Sequence, residues 1–155
     1  MRILLIGEYS RLHNSLKEGL VALGHEVILL SDGDGFKNYP SDMSIKPTFL
    51  NNKLLNIPRQ AIFRITGFDI LKMERALRFY FLIKKLKGFD VVQLINEAPI
   101  QTVKKIEGHL LTKIFKQNKK VFLLSCGADF ISVKFMLDRK PRYSVLNPYF
   151  DNPES

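Results

Sequence analysis

The 155 residues contain one cysteine, no tryptophan and three histidines, and 15 acidic side chains face 24 basic ones. The single thiol, Cys126, excludes a disulfide within the chain and supplies no cysteine set for zinc, so it reads as a small buried residue. The histidines, His13, His25 and His109, show no spacing that resembles a metal site. No run approaches the roughly 18 apolar residues that a membrane span needs. Residues 1–6 carry one charge and four consecutive apolar residues, too few for the apolar stretch of a signal peptide. These absences predict a cytoplasmic chain. Internal repeats and low-complexity blocks are missing as well.

What is present suits one domain. The length is short for two domains of ordinary size, while 12 Phe, 5 Tyr and 46% hydrophobic residues supply material for one well-packed core. The acid deficit leaves a net charge of +9. That charge attracts phosphates, anionic lipid or nucleic acid, and it says nothing of the fold.

The order of elements is legible at the start. Residues 3–6 form a continuous apolar run, as a parallel strand covered on both faces requires. Ser10 is placed to cap a helix carrying Leu12, Leu16, Leu20 and Leu23 on one stripe. Gly24 stops that helix, and residues 27–30 make the next strand. Strand, helix and strand together predict a right-handed βαβ unit. Residues 32–58, with Pro40, Pro47 and Pro58, read as a long irregular connection of the kind that is more often functional than decorative.

Residues 59–87 read as helical, with a short piece before Gly67 and a longer one from about Asp69. In the longer piece Glu74, Arg78 and Lys85 share a narrow stripe, and most of the remaining circumference is apolar. Two readings stand: a helix buried between sheet and neighbours, or a basic, aromatic surface lying against a membrane or a lipid substrate. Residues 91–95 make a strand. Pro99 is expected to start a helix with Ile100, Val103, Ile106, Leu110, Ile114 and Phe115 inward and Lys104, Lys105, Lys113 and Lys116 outward. Residues 121–124 form a further strand, a short helix is placed over 131–138, and beyond Arg139 no period is visible. The predicted fold is α/β, a Rossmann-like three-layer sandwich with a mostly parallel sheet and helices on both faces. It covers 1–138, followed by a tail or the start of an interdomain linker over 139–155.

A parallel sheet binds ligands at the carboxyl ends of its strands. Four loops are expected to converge there: 7–11, 31–35, 96–99 and 125–130. Gly7 lets the backbone turn, and the amides of Ser10, Arg11 and Leu12 can meet an anion at a helix start. Arg11, His13 and Asn14 occupy the first helical turn, where a histidine is more often a packing residue than a catalyst. His25 reads as structural. Asn96 and Glu97 directly follow a strand, Asp129, two after Gly127, has the same standing, and either carboxylate can accept a proton from a hydroxyl within reach. Capping or loop bracing stands beside that role for each.

Several function classes fit poorly. A dinucleotide site needs Gly-x-Gly-x-x-Gly after the first strand, but Tyr9 and Leu12 stand where the second and third glycines belong. Asp32, at a ribose-binding position, is the only support. A phospho-receiver needs paired acids after the first strand, and Glu8 is alone. No nucleic-acid motif or aromatic-basic strand pattern accompanies the positive charge.

The segments at 1–10 (MRILLIGEYS), 23–27 (LGHEV), 89–96 (FDVVQLIN) and 120–129 (KVFLLSCGAD) together resemble the amino-terminal domain of GT-B glycosyltransferases of the group-1 (family 4) type, which build bacterial surface polysaccharides. The resemblance runs over about residues 1–130. In that family two Rossmann-like domains face each other across a cleft, the first holding mainly the acceptor and the second mainly the nucleotide sugar. The resemblance therefore implies acceptor contacts from Gly7, Glu8, Tyr9, Asn14, Asn96, Glu97, Gly127 and Asp129. It implies no metal and no cofactor. It also implies a glycan or lipid-linked acceptor and peripheral membrane contact through 59–87. The family's donor domain, with its Glu-x7-Glu signature, has no counterpart here. The expectation is a fragment of a longer enzyme that binds acceptor and catalyses nothing alone.

Overall fold

The computed structural model describes residues 1–124, 126, 130–144 and 146–151. The chain divides into two units, Met1–Leu124 and Ser125–Ser155. The first contains β1 (Arg2–Ile6), α1 (Leu12–Ala22), β2 (Glu26–Ser31), β3 (Met43–Ser44), α2 (Asn56–Thr66), α3 (Ile70–Leu82), β4 (Val91–Leu94), α4 (Lys104–Gln117) and β5 (Lys120–Leu123). Among its described residues the second contains α5 (Phe130–Arg139) and α6 (Asn147–Asp151).

The sheet is parallel throughout, in the order β3-β2-β1-β4-β5. β1 is central because its apolar run has two faces to bury. Ile3 and Leu5 point to one side, where they cluster with Val27, Leu29 and the half-buried Leu16 and Leu20 of α1. Leu4 and Ile6 point to the other, against Ala76 and Phe79 of α3 and Leu110, Leu111 and Ile114 of α4. All four β1 residues are nearly or completely buried, and full burial of such side chains contributes about 1.5–3 kcal/mol each. The alternation of strand side chains thus produces helix layers on both faces: the fold is the expected α/β three-layer sandwich, Rossmann-like in strand order.

The structure differs from the sequence reading in five places. Ser10 does not cap α1; Ser10 and Arg11 both have positive φ (50° and 67°), and the Glu8 carboxylate is the capping acceptor. Leu12 and Leu23 lie at the exposed ends of their stripe. The irregular segment holds β3, which pairs Met43 with Leu30 and Ser44 with Ser31. α4 starts at Lys104 rather than at Pro99. The Glu107 carboxylate reaches back to accept the N–H groups of Ile100 and Thr102 at 2.9 Å, fixing 99–102 as a loop whose Ile100 is buried. Phe115 is exposed. The boundary between α2 and α3 falls where Gly67 and Asp69 predict it: Gly67 closes α2 at φ 66°, and the Asp69 carboxylate accepts the Leu71 N–H.

α3 combines features of both readings of its sequence. It buries Ala76, Phe79 and Glu74 while exposing Leu77, Tyr80 and Phe81. The buried Glu74 accepts the backbone N–H groups of Thr48, Phe49 and Leu50 at 2.8–3.0 Å and a bond from Arg78 Nε at 2.8 Å. Burial alone would raise its pKa, but the three N–H donors and Arg78 outweigh that and hold it at about 2.

Candidate functional site

The loops after β1 and β4 touch at the carboxyl rim of the sheet. Gly7 adopts φ 88°, and its N–H donates to the Leu30 carbonyl at 2.8 Å. A Cβ on Gly7 would lie 2.4 Å from Ile95 Cγ2 and 3.0 Å from the Pro99 carbonyl oxygen. Glycine is needed here for conformation and for close approach together.

Glu8 turns inward from this corner and is 2% exposed. Its carboxylate accepts the N–H of Tyr9 at 2.7 Å, of His13 at 3.3 Å and of Asn14 at 2.9 Å, and the Asn14 side-chain amide as well. These bonds satisfy the open donors of the first turn of α1 and commit both oxygens to the helix start. Asn14 is held by the same carboxylate and lines a cleft of about 540 Å³ with Lys17, Glu18 and Asp42. Tyr9 is left at the rim, half exposed, with Lys37 Nζ 5.7 Å from its ring centre.

The loop after β2 closes against the loop after β1. Asp34 Oδ2 accepts the Ser10 N–H and Lys37 Nζ, each at 2.8 Å, and Lys37 also donates to Ser10 Oγ at 3.0 Å. Burial opposes the charge on Asp34, yet Lys37 and the Ser10 N–H keep its pKa below the usual carboxylate range. Asp32 is fully engaged: Oδ1 accepts the Asp34 N–H at 3.2 Å, and Oδ2 pairs with Arg75 Nη2 at 3.0 Å. Arg75 also donates to the Gln101 carbonyl at 3.3 Å, linking the β2 loop, α3 and the β4 loop. Each oxygen of the buried Asp32 already has a partner, so a ribose hydroxyl would have to compete with the Asp34 N–H and Arg75, which weighs against a dinucleotide site.

On the β4 side Asn96 is half-buried, and its Oδ1 accepts the Ala98 N–H at 3.0 Å, bracing the turn. Glu97 is exposed and borders a cavity of about 310 Å³ with Lys104, Glu107 and Gly108. Gly7 and the segment 95–99 therefore meet at one corner, Tyr9 stands beside Lys37 of the β2 loop, and Asn14 and Glu97 border separate hollows. Gly127 and Asp129 lie outside the described residues. Among the described residues no group of three His, Cys, Asp or Glu side chains is arranged to hold a metal ion.

Backbone strain concentrates at this rim. Ser10, Arg11, Asp34, Asn38 and Gln101 all have φ between 50° and 67° although none is glycine. Such conformations persist only where surroundings enforce them, and they cluster at binding and catalytic sites. Sequence reasoning missed Arg75, Gln101 and Lys37: Arg75 finds Asp32 and Gln101 43 and 26 positions away, and Lys37 reaches Ser10 27 positions back, separations that leave no local signal.

His13 is packed, not catalytic in placement. It is completely buried, with Nδ1 donating to the Gly7 carbonyl at 2.7 Å, and Nε2 has no partner among the described residues. Burial lowers its pKa, only partly offset by the Gly7 carbonyl and Glu8. The unfolded chain therefore binds this proton more readily than the folded one. Stability is full above pH 6.5 and falls as the pH drops below that value toward the lowered folded pKa. The melting temperature is expected to fall between pH 7.5 and 5.5 in the natural chain and to fall less in His13→Leu, as followed by circular dichroism. Equal slopes in the two proteins would exclude His13 as the titrating group.

Comparison of the chain with family models, curated proteins and solved structures finds no match.

Proposed function

We propose that this chain is the acceptor-binding, Rossmann-like half of a cytoplasmic glycosyltransferase that moves a sugar from a nucleotide sugar to a glycan or lipid-linked acceptor. It works at the inner face of the membrane and is inactive without a donor-binding half. The observation that supports the reading most is the contact of Gly7 with Ile95 and Pro99. That contact brings the turn after β1 against the 95–99 segment at the carboxyl rim, beside the switch point between β1 and β4, where such sheets bind small ligands. The strained, ion-paired loops around Asp34 and Arg75 favour a preformed rim over a mobile one. Tyr9 offers an exposed ring for a sugar face and Asn96 a polar side chain for hydroxyl groups. Peripheral contact with a membrane would be made by the basic and apolar region 59–87.

Amide chemical shifts of the ¹⁵N-labelled chain provide the test. Titration with oligosaccharide acceptors is expected to move the resonances of Tyr9, Asn14, Asn96 and Glu97, and titration with a nucleotide sugar is expected to move few. Saturable binding of NAD, or no response of the rim to any glycan, would reject the assignment.

A further inference from the structure

α3 and α4 cover the same face of the sheet, and the outer side of α4 carries charge of one sign only. Residues 104–120 contain six lysines and a single acid, Glu107. That acid is 4% exposed, and both its oxygens are engaged by the backbone of 100–102. Lys105, His109 and Lys113 follow at i, i+4 and i+8, one row along the exposed side of the helix. His109 Nδ1 donates to the Lys105 carbonyl at 2.7 Å, which leaves Nε2 for an outside partner. Among the described residues no carboxylate pairs with Lys105 or Lys113. Lys113 Nζ instead stands 5.1 Å from the ring centre of Tyr80 on α3. Between the two helices lies a hollow of about 340 Å³, bordered by this row, by Tyr80 and by the apolar Ile106 and Leu110.

Shape and charge together select the occupant. A concave, apolar trough edged by cations at four-residue intervals complements a convex, apolar ridge edged by carboxylates at the same intervals. An acidic amphipathic helix has that ridge, and its repeat of about 6 Å per four residues matches the row on α4. A bilayer is flat, so it would meet the helix ridges and leave the hollow unfilled. Stacked bases need a bare ring, but Tyr80 already has Lys113 over it and Phe81 packed in a T-shape at 5.9 Å. A second copy brings the same net charge of +9, which repulsion opposes.

We infer that the α3–α4 groove docks an acidic amphipathic helix of a partner protein, with an apolar anchor side chain seated between Tyr80 and Ile106 and carboxylates against Lys105, His109 and Lys113. The inference goes beyond the function proposed above. None of these residues lines the rim at Gly7, so helix docking and glycan binding can fail independently.

Fluorescence polarisation of a labelled synthetic peptide tests this with the full chain. The probe is an amphipathic helix of about 15 residues with leucines on one stripe and glutamates beside it. The chain is expected to bind this peptide saturably and to bind its lysine counterpart about tenfold more weakly or less. Lys105→Glu/Lys113→Glu should weaken binding about tenfold or more while unfolding at the natural temperature, since both side chains are exposed. Lys87→Glu/Lys120→Glu makes the same change of charge outside the groove and should bind nearly as the natural chain does. Replacing the central leucine of the peptide by alanine should also weaken binding, because the hollow loses its anchor. Absence of saturable binding, or equal losses in the two double variants, would overturn the inference. So would binding of a single-stranded oligonucleotide or of phosphatidylglycerol vesicles that only the groove variant loses, which would give the groove to nucleic acid or to lipid.

Discussion

Gly7→Ala is expected to destabilise the protein by about 3 kcal/mol. The cost combines about 1–2 kcal/mol for placing a Cβ at φ 88° with about 1–3 kcal/mol for its collision with Ile95 and the Pro99 carbonyl. Gly24 provides the control. Its φ is 80°, yet a Cβ there meets nothing within 4 Å, so Gly24→Ala should show the backbone part alone, about 1–2 kcal/mol. Urea denaturation of both variants separates the two contributions. Equal losses would mean that the β1 and β4 loops are not in contact, and the rim built on that contact would not exist. Resonances of 95–99 should also shift in Gly7→Ala and stay in place in Gly24→Ala.

Glu74→Gln is expected to remove about 3 kcal/mol at neutral pH, the equivalent of lowering a carboxyl from 4.5 to about 2 on folding. The sign follows from the depressed pKa. The contribution is complete above the unfolded value near 4.5 and disappears as the pH falls toward 2, because the folded carboxylate resists protonation that the unfolded one accepts. The gap between the natural chain and the variant should therefore close steadily between pH 4.5 and 2 in chemical denaturation. A gap that does not change with pH would show a loss of packing rather than of charge. The amide variant keeps the shape of the side chain, but its NH₂ faces backbone N–H donors of 48–50 and leaves Arg78 without a charged partner. Loosening of that segment should increase amide exchange at Thr48, Phe49 and Leu50 before any global unfolding.

The parts of the fold written in local pattern were legible in the sequence. The apolar run of β1, the Gly24 stop and the Gly67–Asp69 punctuation each depend on residues within a few positions of one another, and the structure follows them. β3 was not legible: two residues pairing with β2 generate no period. The start of α4 was misjudged because Pro99 is a common first helical residue, whereas the deciding group is the Glu107 carboxylate eight positions later. The same logic hid the role of Glu8. Ser10 has the chemistry of a cap, but two left-handed residues at 10 and 11 place the earlier carboxylate over the helix start. The rim loops were predictable as loops. Their closure was not, because Ser10 meets Asp34 and Lys37, and Asp32 meets Arg75, across long separations in the chain.

The central position of β1 bears on how the molecule can assemble. Ile3 pairs with Val27 on one side and Val91 on the other, so the first strand of this sheet gains its second neighbour only once β4 has been made. No neighbouring strands in this sheet can zip together through a tight hairpin, and each pairing must close a long loop before any reward is gained. Until the chain has grown past Leu94, an adhesive apolar ribbon waits with one flank open.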